Sequence, residues 1–226
     1  MTRTGLFGGS FNPAHRGHRR ISLAAAEALG LDEIWWLVSP GNPLKEAGGM
    51  APVEARFASA RRAARRAPVR VTAIERELGS PYTADTLETL VRRYPRRRFV
   101  WIMGEDNLVQ FHRWRDWRKI AATVPIAVVT RPGYHGRARR ARAMGWLRRF
   151  VQPAANLRQW TEWRLPSLVL LRLPLDPTSA TAIRAADAFW HLAAENAFHP
   201  RGLRDGVTRR PLDRRRHIAR KPARSA

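Results

Sequence analysis

The sequence predicts an α/β fold, a doubly wound, Rossmann-like parallel sheet with helices on both faces. Two observations favour this class. Short apolar runs alternate with amphipathic segments along the 226 residues, and the amphipathic segments have the length, about 10–15 residues, of the helices that join parallel strands. Right-handed strand–helix–strand units of this kind produce a parallel sheet that is covered on both faces.

Six apolar runs are predicted as strands, and they are residues 3–8, 34–38, 69–73, 98–103, 126–130 and 168–173. The first run ends in glycines, and residues 34–38 have the composition of a buried strand. Ligands of such sheets bind at the carboxyl ends of the strands, near the point where the strand order reverses. The residues that directly follow each strand are therefore the candidates for chemistry.

Five segments are predicted as helices, and they are residues 16–29, 52–66, 83–94, 116–122 and a last one from about residue 179. In the first segment, apolar residues spaced three or four apart form one face, and Gly30 ends the helix. Pro52 at the first turn favours the second helix. The third has Leu87, Leu90 and Val91 on its inward face.

The composition is that of a globular chain, with 44% hydrophobic and 27% charged residues. The absence of cysteine excludes a disulfide scaffold, a cysteine-ligated zinc site, an iron–sulfur cluster and a thiol nucleophile. No apolar run approaches the roughly 20 residues that a membrane helix needs, and the N-terminal sequence reaches glycine too early for a signal peptide. We therefore expect a cytoplasmic protein with no membrane partner.

The formal charge of +24 arises from 42 Lys and Arg against 18 Asp and Glu. Such a balance favours anionic partners such as nucleotides or nucleic acid. Lysine occurs only at positions 45, 119 and 221, so arginine supplies 39 of the basic residues, which is typical of a GC-rich coding bias. Residues 200–226 hold 10 basic and 2 acidic residues. We expect one domain over residues 1–199 and a disordered basic tail over 200–226, which makes weak, salt-sensitive contacts with nucleic acid.

The segment after the first predicted strand, residues 8–18, has the sequence G-G-S-F-N-P-A-H-R-G-H. Glycines here allow the backbone to approach a ligand, and the following helix N-terminus presents free N–H groups and a positive dipole end to phosphate. His15 and His18 are three residues apart and share one helix face, and Gly17 leaves room for a nucleotide. By spacing alone, the two histidines could be a metal pair or ordinary capping residues.

A second segment, S-A-T-A-I-R at residues 179–184, begins the last predicted helix. Ser179 and Thr181 can cap this helix, and their hydroxyl and N–H groups can hold phosphate oxygens. Arg184 lies one turn further and can donate to two oxygens at once. Taken alone, the segment is also compatible with an ordinary N-cap followed by a surface arginine.

Together the two segments resemble the signature of the nucleotidyltransferase superfamily, in which an H-x-G-H element binds and activates a nucleoside triphosphate and S-x-T-x-[IV]-R is the second element. The middle of the chain resembles one branch, the nicotinate-nucleotide adenylyltransferase family of bacterial NAD synthesis. This resemblance rests on residues 39–45 (S-P-G-N-P-L-K), 81–87 (P-Y-T-A-D-T-L), 102–108 (I-M-G-E-D-N-L), 111–117 (F-H-R-W-R-D-W) and 131–134 (R-P-G-Y). It extends over about residues 5–198 and implies the nucleotidyltransferase fold.

The chain departs from the family pattern at two places. Asn12 stands where Asp is commoner, and Asn stabilises a turn in a similar way. The loop of residues 39–45 is about two residues shorter than the corresponding loop of the family, and it lacks the histidine that usually precedes the lysine at position 45. The exact phosphate contacts of Asn42 and Lys45 therefore do not follow from the family pattern.

The resemblance implies transfer of the adenylyl group of ATP to nicotinate mononucleotide, with release of pyrophosphate and formation of deamido-NAD. The attacking phosphate is already anionic, so the reaction needs alignment and charge stabilisation rather than a strong general base. Mg²⁺ is expected to arrive with ATP, because it prefers phosphate oxygens and water to an all-protein site. No residue of the chain is assigned as a metal ligand.

The resemblance also assigns residues to each role. The catalytic residues are His15, His18, Lys45 and Arg184. The ATP-binding residues are Gly8, Gly9, Ser10, Phe11, His18, Gly104, Asp106, Ser179, Thr181 and Arg184. The residues for nicotinate mononucleotide are Asn42, Lys45, Tyr82, Thr83 and Trp117. In this assignment Trp117 stacks on the pyridine ring, and Tyr82 and Thr83 hydrogen-bond near its carboxylate.

The residues leave several alternatives open. Trp117 could be a core residue, and Asp106 could merely cap the helix that follows it. Packing in the core or at the surface is the role expected for Trp35, Trp36, Trp101 and Trp146. The acceptor could be nicotinamide mononucleotide or phosphopantetheine. A basic protein associated with RNA is compatible with the charge, although no face of interleaved aromatic and basic residues is evident in the sequence.

Overall fold

The computed structural model describes residues 1–41, 49–130, 139–173, 176–192 and 202–212. Its centre is a six-stranded sheet in which every pair of neighbouring strands is parallel. The strands are β1 (Thr2–Gly9), β2 (Glu33–Val38), β3 (Val69–Thr72), β4 (Arg97–Gly104), β5 (Ile126–Thr130) and β6 (Leu168–Arg172). Their order is β3-β2-β1-β4-β5-β6, the doubly wound order with its reversal between β1 and β4. The predicted fold class and all six predicted strands are confirmed.

Within these ranges, helices follow most of the strands. The α-helices are α1 (Arg16–Leu29), α2 (Val53–Ala63), α3 (Glu75–Leu78), α4 (Thr83–Arg93), α5 (Glu105–Gln110), α6 (Trp117–Thr123), α7 (Met144–Leu147) and α8 (Ala180–Ala186), and 3-10 helices span Phe111–Arg113, Arg148–Phe150 and Ala154–Glu162. The predicted helix over 16–29 is confirmed in full, and Gly30 ends it in the left-handed conformation (φ 60°). The short helices α3, α5 and α7 were not predicted. None of the helices described is long and apolar enough to cross a membrane.

The sheet separates two cores. All six residues of β2 are buried, because helices cover both faces of the sheet. Neighbouring side chains on a strand point to opposite faces, so Trp36 belongs to the core beneath α1 and α2, whereas Trp35 belongs to the core beneath α4 and α6. Trp101 is also buried in this second core. The packing roles expected for these three tryptophans are confirmed.

Paired charges lie at the amino ends of the strands. Glu33 is 8% exposed at the start of β2. It forms ion pairs with Arg70 and Arg97, which lie on β3 and β4. The same carboxylate accepts hydrogen bonds from Trp35 Nε1 at 2.8 Å and from Thr4 Oγ1 at 3.4 Å. This cluster ties four strands together at the end opposite to their carboxyl termini.

Residues 202–212 fold back onto the sheet and form a turn that we call the C-terminal clasp. Leu203 and Leu212 are buried in the core beneath α1 and α2, and the Leu212 N–H donates to the Leu203 carbonyl oxygen at 2.8 Å. Gly206 lies against β3, where its N–H donates to the Val71 carbonyl oxygen at 2.8 Å. A Cβ atom at Gly206 would lie 2.6 Å from that oxygen, so only glycine fits without displacement.

The expectation of disorder from residue 200 onward is wrong for the clasp. Asp205 is 3% exposed and accepts hydrogen bonds from Thr72 Oγ1 at 2.9 Å and from the Ala73 N–H at 2.8 Å. Composition gave the wrong result because two isolated leucines and one aspartate anchor a segment that is otherwise rich in arginine and glycine. Residues 213–226 lie outside the described ranges, so the prediction for them is untested.

Candidate active site

The helices that follow β1 and β4 cover opposite faces of the sheet. Ala25 and Leu29 of α1 belong to one core, whereas Leu108 of α5 belongs to the other. This divergence opens a crevice beyond Gly9 and Gly104, the last residues of the two strands. Ligand sites of doubly wound sheets typically lie in such a crevice, and the H-x-G-H segment begins at its edge.

The glycines that end β1 are closely packed by the protein itself. A Cβ atom on Gly8 would lie 2.5 Å from Cη2 of Trp101, and one on Gly9 would lie 3.3 Å from Cε2 of Phe11. Gly8 is therefore needed for the packing of Trp101, a role that the sequence did not reveal. The approach of a nucleotide to the backbone of Gly8, Gly9 and Ser10 stays a prediction.

The two histidines cap α1 through a reciprocal pair of hydrogen bonds. His15 is the N-cap residue, and its Nδ1 accepts from the Gly17 N–H at 3.1 Å. Nδ1 of His18 accepts from the His15 N–H at 3.2 Å. Because each Nδ1 is an acceptor, the neutral rings hold their protons on Nε2. Capping is thus confirmed, and it fixes the tautomer in which both rings can donate from Nε2 to a ligand.

Burial keeps the two rings neutral. The pKa of His18 falls to about 3, first because the ring is buried and second because His15 lies beside it, with ring centroids 3.9 Å apart. Burial also lowers the pKa of His15, and the charge of Asp176 opposes this effect. At neutral pH the pair therefore offers neutral N–H donors, and positive charge beside it comes from arginines such as Arg184.

Phe11 packs against His18. Phe11 is buried, its ring centroid lies 4.9 Å from that of His18, and it stacks on Trp36 at 5.0 Å. Its φ of 47° lies in the left-handed region, which is uncommon for a residue other than glycine. Predicted as an ATP-binding residue, Phe11 can meet a nucleotide only through its backbone, because its side chain supports the His18 ring.

The S-x-T-x-I-R segment lies against the loop that follows β1. Ser179 is the N-cap of α8, and its hydroxyl accepts from the Ala182 N–H at 3.1 Å. Arg184 donates from Nη1 to the backbone carbonyl oxygen of Asn12, and from Nη2 to Thr181 Oγ1 at 3.4 Å. Two segments at opposite ends of the sequence are thus in direct contact, with their hydroxyl and guanidinium groups beside the first motif.

Two further contacts hold these segments together. Asp176 forms ion pairs with Arg16 at 2.7 Å and Arg20 at 3.5 Å, both in α1. Hydrogen bonds from Thr178, and then the charge of Arg16, lower the pKa of this carboxyl to about 2. A Cβ atom on Gly17 would lie 3.3 Å from the Thr178 carbonyl oxygen. Gly17 therefore allows the segments to approach each other.

Two polar residues on the inward face of α2 were not among the residues predicted for the site. Arg56 is 1% exposed and donates to the backbone carbonyl oxygens of Ser10 and Ser39. Ser59 is buried, and its Oγ accepts from the Ala14 N–H at 3.0 Å. The available signal was that Arg56 and Ser59 are three residues apart, on the apolar face of an otherwise regular helix. A polar pair on that face requires partners inside the fold.

Two of the five predicted acceptor residues lie at the N-terminus of α4. Tyr82 is the N-cap residue and Thr83 begins the helix, a position that favours an anion. The Arg115 guanidinium lies 4.4 Å from the centre of the Tyr82 ring. One turn further, Thr86 Oγ1 donates to Glu75 at 3.4 Å, and burial raises the pKa of Glu75 to about 7. Neither Arg115 nor Glu75 was singled out in the sequence.

Trp117 begins α6 and is half-buried. Its ring packs edge-on against Phe111 at 5.7 Å and against Trp146 at 5.4 Å, and the Arg118 guanidinium lies 4.9 Å from its centre. Trp114, three residues earlier, is also half-buried and packs edge-on against Phe111 at 5.4 Å. Both indoles have packing roles, and the stacking of Trp117 on a pyridine ring stays a prediction.

The remaining predicted residues lie at strand ends or outside the described ranges. Gly104 ends β4 and is the N-cap of α5, with open space where a side chain would stand. Asp106 lies exposed in the first turn of α5, so the N-cap is Gly104 and not Asp106. Asn42 and Lys45 lie outside the described ranges, and their phosphate contacts stay predictions.

Known proteins resemble this chain over most of its length. Residues 6–186 match the family model of cytidylyltransferase-like proteins. A probable nicotinate-nucleotide adenylyltransferase of Erythrobacter litoralis is 64% identical over 188 residues, covering 83% of this chain and 86% of that protein. A protein of the same description from Bradyrhizobium sp. strain BTAi1 is 47% identical over 188 residues, covering 83% and 98%. The family model spans both segments of the candidate site.

Solved structures share the fold. The Plasmodium falciparum nicotinic acid mononucleotide adenylyltransferase complexed with NaAD has a TM-score of 0.58 and 14% identity, covering 82% of this chain and 83% of that chain. The same enzyme complexed with APC has a TM-score of 0.56 at the same identity and coverage. At this identity the likeness supports the fold alone.

Proposed function

The chain belongs to the nicotinate-nucleotide adenylyltransferase family, and we propose that it transfers the adenylyl group of ATP to nicotinate mononucleotide. One observation supports this proposal most. Arg184 links the S-x-T-x-I-R segment to Asn12, in the loop that leads to the two neutral histidines. Hydroxyl, guanidinium and imidazole N–H groups thereby meet at the carboxyl ends of the strands, and such donors suit a polyphosphate.

The reaction requires positioning more than proton transfer. A phosphate oxygen of nicotinate mononucleotide attacks the α-phosphorus of ATP in line, and the bond from that phosphorus to the oxygen bridging it to the β-phosphate breaks. Pyrophosphate leaves with the electron pair of that bond, and deamido-NAD is formed. The attacking oxygen is already anionic, so no side chain has to remove a proton and no covalent enzyme intermediate forms.

In this mechanism the histidines donate hydrogen bonds and Arg184 supplies charge. His15 and His18 hold their protons on Nε2, from which they can stabilise negative charge on the α-phosphate and on the departing oxygen. Arg184, Ser179 and Thr181 bind the β- and γ-phosphates. Because the pKa of His18 is about 3, this donor does not titrate between about pH 5 and 8.

We propose that Mg²⁺ enters with ATP. In the part of the chain that the structure describes, no three His, Cys, Asp or Glu side chains are grouped so that they could hold a metal ion. Apart from Asp176, which pairs with Arg16 and Arg20, the groups around the H-x-G-H segment are N–H and hydroxyl donors, which fits an ion held by phosphate oxygens and water. When bound, the ion reduces the negative charge that the incoming phosphate has to approach.

On the acceptor side, the proposal assigns the phosphate to Asn42 and Lys45, the pyridine carboxylate to Tyr82 and Thr83, and the pyridine ring to Trp117. The N-terminal end of α4 supports this assignment, since free N–H groups and the helix dipole favour an anion there. Nicotinamide mononucleotide differs by an amide in place of the carboxylate. We therefore expect it to be the weaker acceptor.

A weak nucleic-acid contact of the basic tail is a separate proposal. Residues 213–226 hold six basic residues and one acidic residue, a composition that favours phosphate backbones. The clasp is already engaged with β3, so the tail in question begins at residue 213. Deleting residues 213–226 should reduce RNA binding at low salt, and equal binding of the full and shortened chains would contradict this proposal.

The function is tested by pyrophosphate release from ATP and Mg²⁺. Nicotinate mononucleotide, nicotinamide mononucleotide and phosphopantetheine are supplied as separate acceptors. We expect the fastest release with nicotinate mononucleotide, and a loss of at least about 100-fold in His18→Ala, because one transition-state donor is removed. His191→Ala, a histidine outside both motifs, is the matched control. Release with another acceptor only would change the assigned substrate, and no release with any acceptor would contradict adenylyl transfer.

The tryptophan assignment is tested by comparing Trp117→Ala with Trp114→Ala. Stacking on a flat ring contributes about 1–3 kcal/mol, so the KM for nicotinate mononucleotide should rise about tenfold in Trp117→Ala while the KM for ATP stays within about twofold. Trp114 is the control because it is also half-buried and packs on the same phenylalanine. A larger rise in Trp114→Ala would move the stacking role to that residue.

A further inference from the structure

A buried arginine lies between the two substrate-binding loops. Arg56, in α2, is 1% exposed. Its Nη1 donates to the backbone carbonyl oxygens of Ser10 at 2.7 Å and Ser39 at 2.8 Å, and its Nε donates to that of Ala51 at 2.8 Å. One side chain thus contacts three separate points of the backbone, which no shorter or neutral side chain could do with the same geometry.

The three acceptors belong to segments with different predicted substrates. Ser10 lies in the loop after β1, which is assigned to ATP. Ser39 follows β2 at the start of the connection to α2, and Ala51 lies at the end of that connection. Arg56 therefore fixes both ends of the acceptor-side connection relative to the ATP-side loop.

Asn12 makes a second link between the same segments. Its Nδ2 donates to the Gly49 carbonyl oxygen at 2.9 Å, and its Oδ1 accepts from the Ala51 N–H at 3.2 Å. The backbone carbonyl oxygen of Asn12 accepts from Arg184. The contacts thus run from α8 through the ATP-side loop to the end of the acceptor-side connection, where Arg56 also binds.

The charge of Arg56 is not neutralised by an ion pair with any residue the structure describes. The neighbouring acid in α2, Glu54, pairs with Arg76 at 3.1 Å. Burial lowers the pKa of Arg56 to about 10, so the guanidinium is still charged at neutral pH. Its partners are carbonyl oxygens, which satisfy its N–H groups but leave a net positive charge beneath the loops.

We propose that Arg56 is a positioning residue for the adenylyl transfer, which sets the ATP-side loop and the acceptor-side connection at the spacing that in-line attack requires. This inference rests on the proposed function. It assigns to Arg56 no contact with either substrate. The effect is carried by the carbonyl groups that it holds, and a displacement of about 1 Å between reacting groups can cost about 100-fold in rate.

Two variants of the full-length chain separate geometry from charge. Arg56→Lys keeps a positive charge but cannot donate along three directions in one plane, and Arg56→Met keeps an unbranched side chain without charge or donors. Arg62→Met, at an exposed arginine of the same helix, is the matched control. We expect kcat to fall about 100-fold in Arg56→Met and about tenfold in Arg56→Lys, with a raised KM for both ATP and nicotinate mononucleotide. Arg62→Met should stay within about twofold of the original chain.

Kinetic constants distinguish positioning from a purely structural role. If Arg56 only stabilised the fold, the folded fraction would fall and KM for both substrates would not change; this result, after correction for the concentration of folded protein, would overturn the proposal. Hydrogen exchange gives a readout that does not depend on activity. The amides of residues 9–12 and 49–51 should exchange at least about tenfold faster in Arg56→Met, and unchanged exchange there would overturn the proposal even if no acceptor were adenylylated.

Discussion

Two pairs of arginines, one pair at each end of the sheet, have different kinds of partner. At the amino ends of the strands, Arg70 and Arg97 pair with the carboxylate of Glu33. At the carboxyl ends, Arg56 and Arg184 donate to backbone carbonyl oxygens and no ion pair with a carboxylate is found for either within the described ranges. The first arrangement neutralises charge inside the protein. The second satisfies the N–H groups and keeps the positive charge available to an anionic ligand.

The parallel topology of the sheet explains why the arginines at its amino ends and those at its carboxyl ends differ in their partners. Every strand of the sheet ends on the same side, and a helix that follows a strand begins there, so the N-termini of α1 and α8 add to the positive field at the carboxyl ends. Among the helices that the structure describes, none that follows a strand has its N-terminus at the amino ends. Charges placed there can serve stability, whereas the proposed function assigns the carboxyl ends to substrate binding.

The largest expected effect is the loss of activity in Arg184→Ala. The variant removes a cation and the link from α8 to Asn12, and kcat/KM should fall about 100- to 1,000-fold. The free energy of unfolding should change by less than about 1 kcal/mol, because Arg184 is on the surface of a short helix and most such substitutions have small effects. Steady-state kinetics and urea unfolding give both quantities. A loss of less than tenfold in kcat/KM would contradict the proposal that the substrates bind at the carboxyl ends of the strands.

Glu33→Ala tests the opposite end. Removing the carboxylate leaves two arginines and the buried indole N–H of Trp35 without their acceptor. Breaking a buried pair costs about 3–5 kcal/mol, and because Arg70 is partly exposed we expect a loss of about 2–3 kcal/mol in the free energy of unfolding. Activity per folded molecule should remain within about twofold. Glu33→Gln, which keeps an acceptor for the indole but has no charge, should lose less stability, and an equal loss in both variants would show that the charge, and not the indole hydrogen bond, accounts for the effect.

The strands and the two motif segments could be predicted because their signals are local. Apolar runs and the spacing of His15 and His18 are visible within a dozen residues. The partners of the buried side chains Arg56 and Asp205 could not be predicted, because they are distant in the sequence. For Asp205 those partners are Thr72 and Ala73, more than 130 residues away.

Asp205 is an exception to the division between the two ends. It is a buried carboxylate near the carboxyl end of β3, and the N–H and O–H groups of Thr72, Ala73, Val207 and Thr208 satisfy it without a cation. Asp205→Ala leaves these donors unpaired, so the free energy of unfolding should fall by about 2 kcal/mol. If every residue near the carboxyl ends of the strands contributed to the reaction, kcat would fall as well. We expect kcat per folded molecule to be unchanged, and a reduced kcat would show that the clasp also acts on the site.

A further expectation concerns the pH dependence of stability. Burial, and then the neighbouring His15, lowers the pKa of His18 to about 3, whereas an unfolded histidine titrates near 6.5. Between these values the unfolded chain binds a proton that the folded chain does not. The free energy of unfolding should therefore decrease as the pH falls from 6.5 towards 3, by about 1 kcal/mol per pH unit from this group. His18→Asn keeps a side-chain acceptor and should show a shallower decrease, measured by urea unfolding at a series of pH values.

Glu75 should change the pH dependence of the free energy of unfolding in the opposite direction. Burial raises its pKa to about 7, above the ordinary value of 4.5 for a glutamate side chain. Between these values the folded chain holds a proton that the unfolded chain has lost, so this group stabilises the fold below about pH 4.5 and its contribution is lost as the pH rises towards 7. Glu75→Gln, which keeps an acceptor for Thr86 without a charge, should flatten that loss. Because the two residues act in opposite directions, only the differences between each variant and the original chain separate them. If the free energy of unfolding changed with pH at the same rate in the original chain and in both variants, the result would contradict a shift of either pKa by burial.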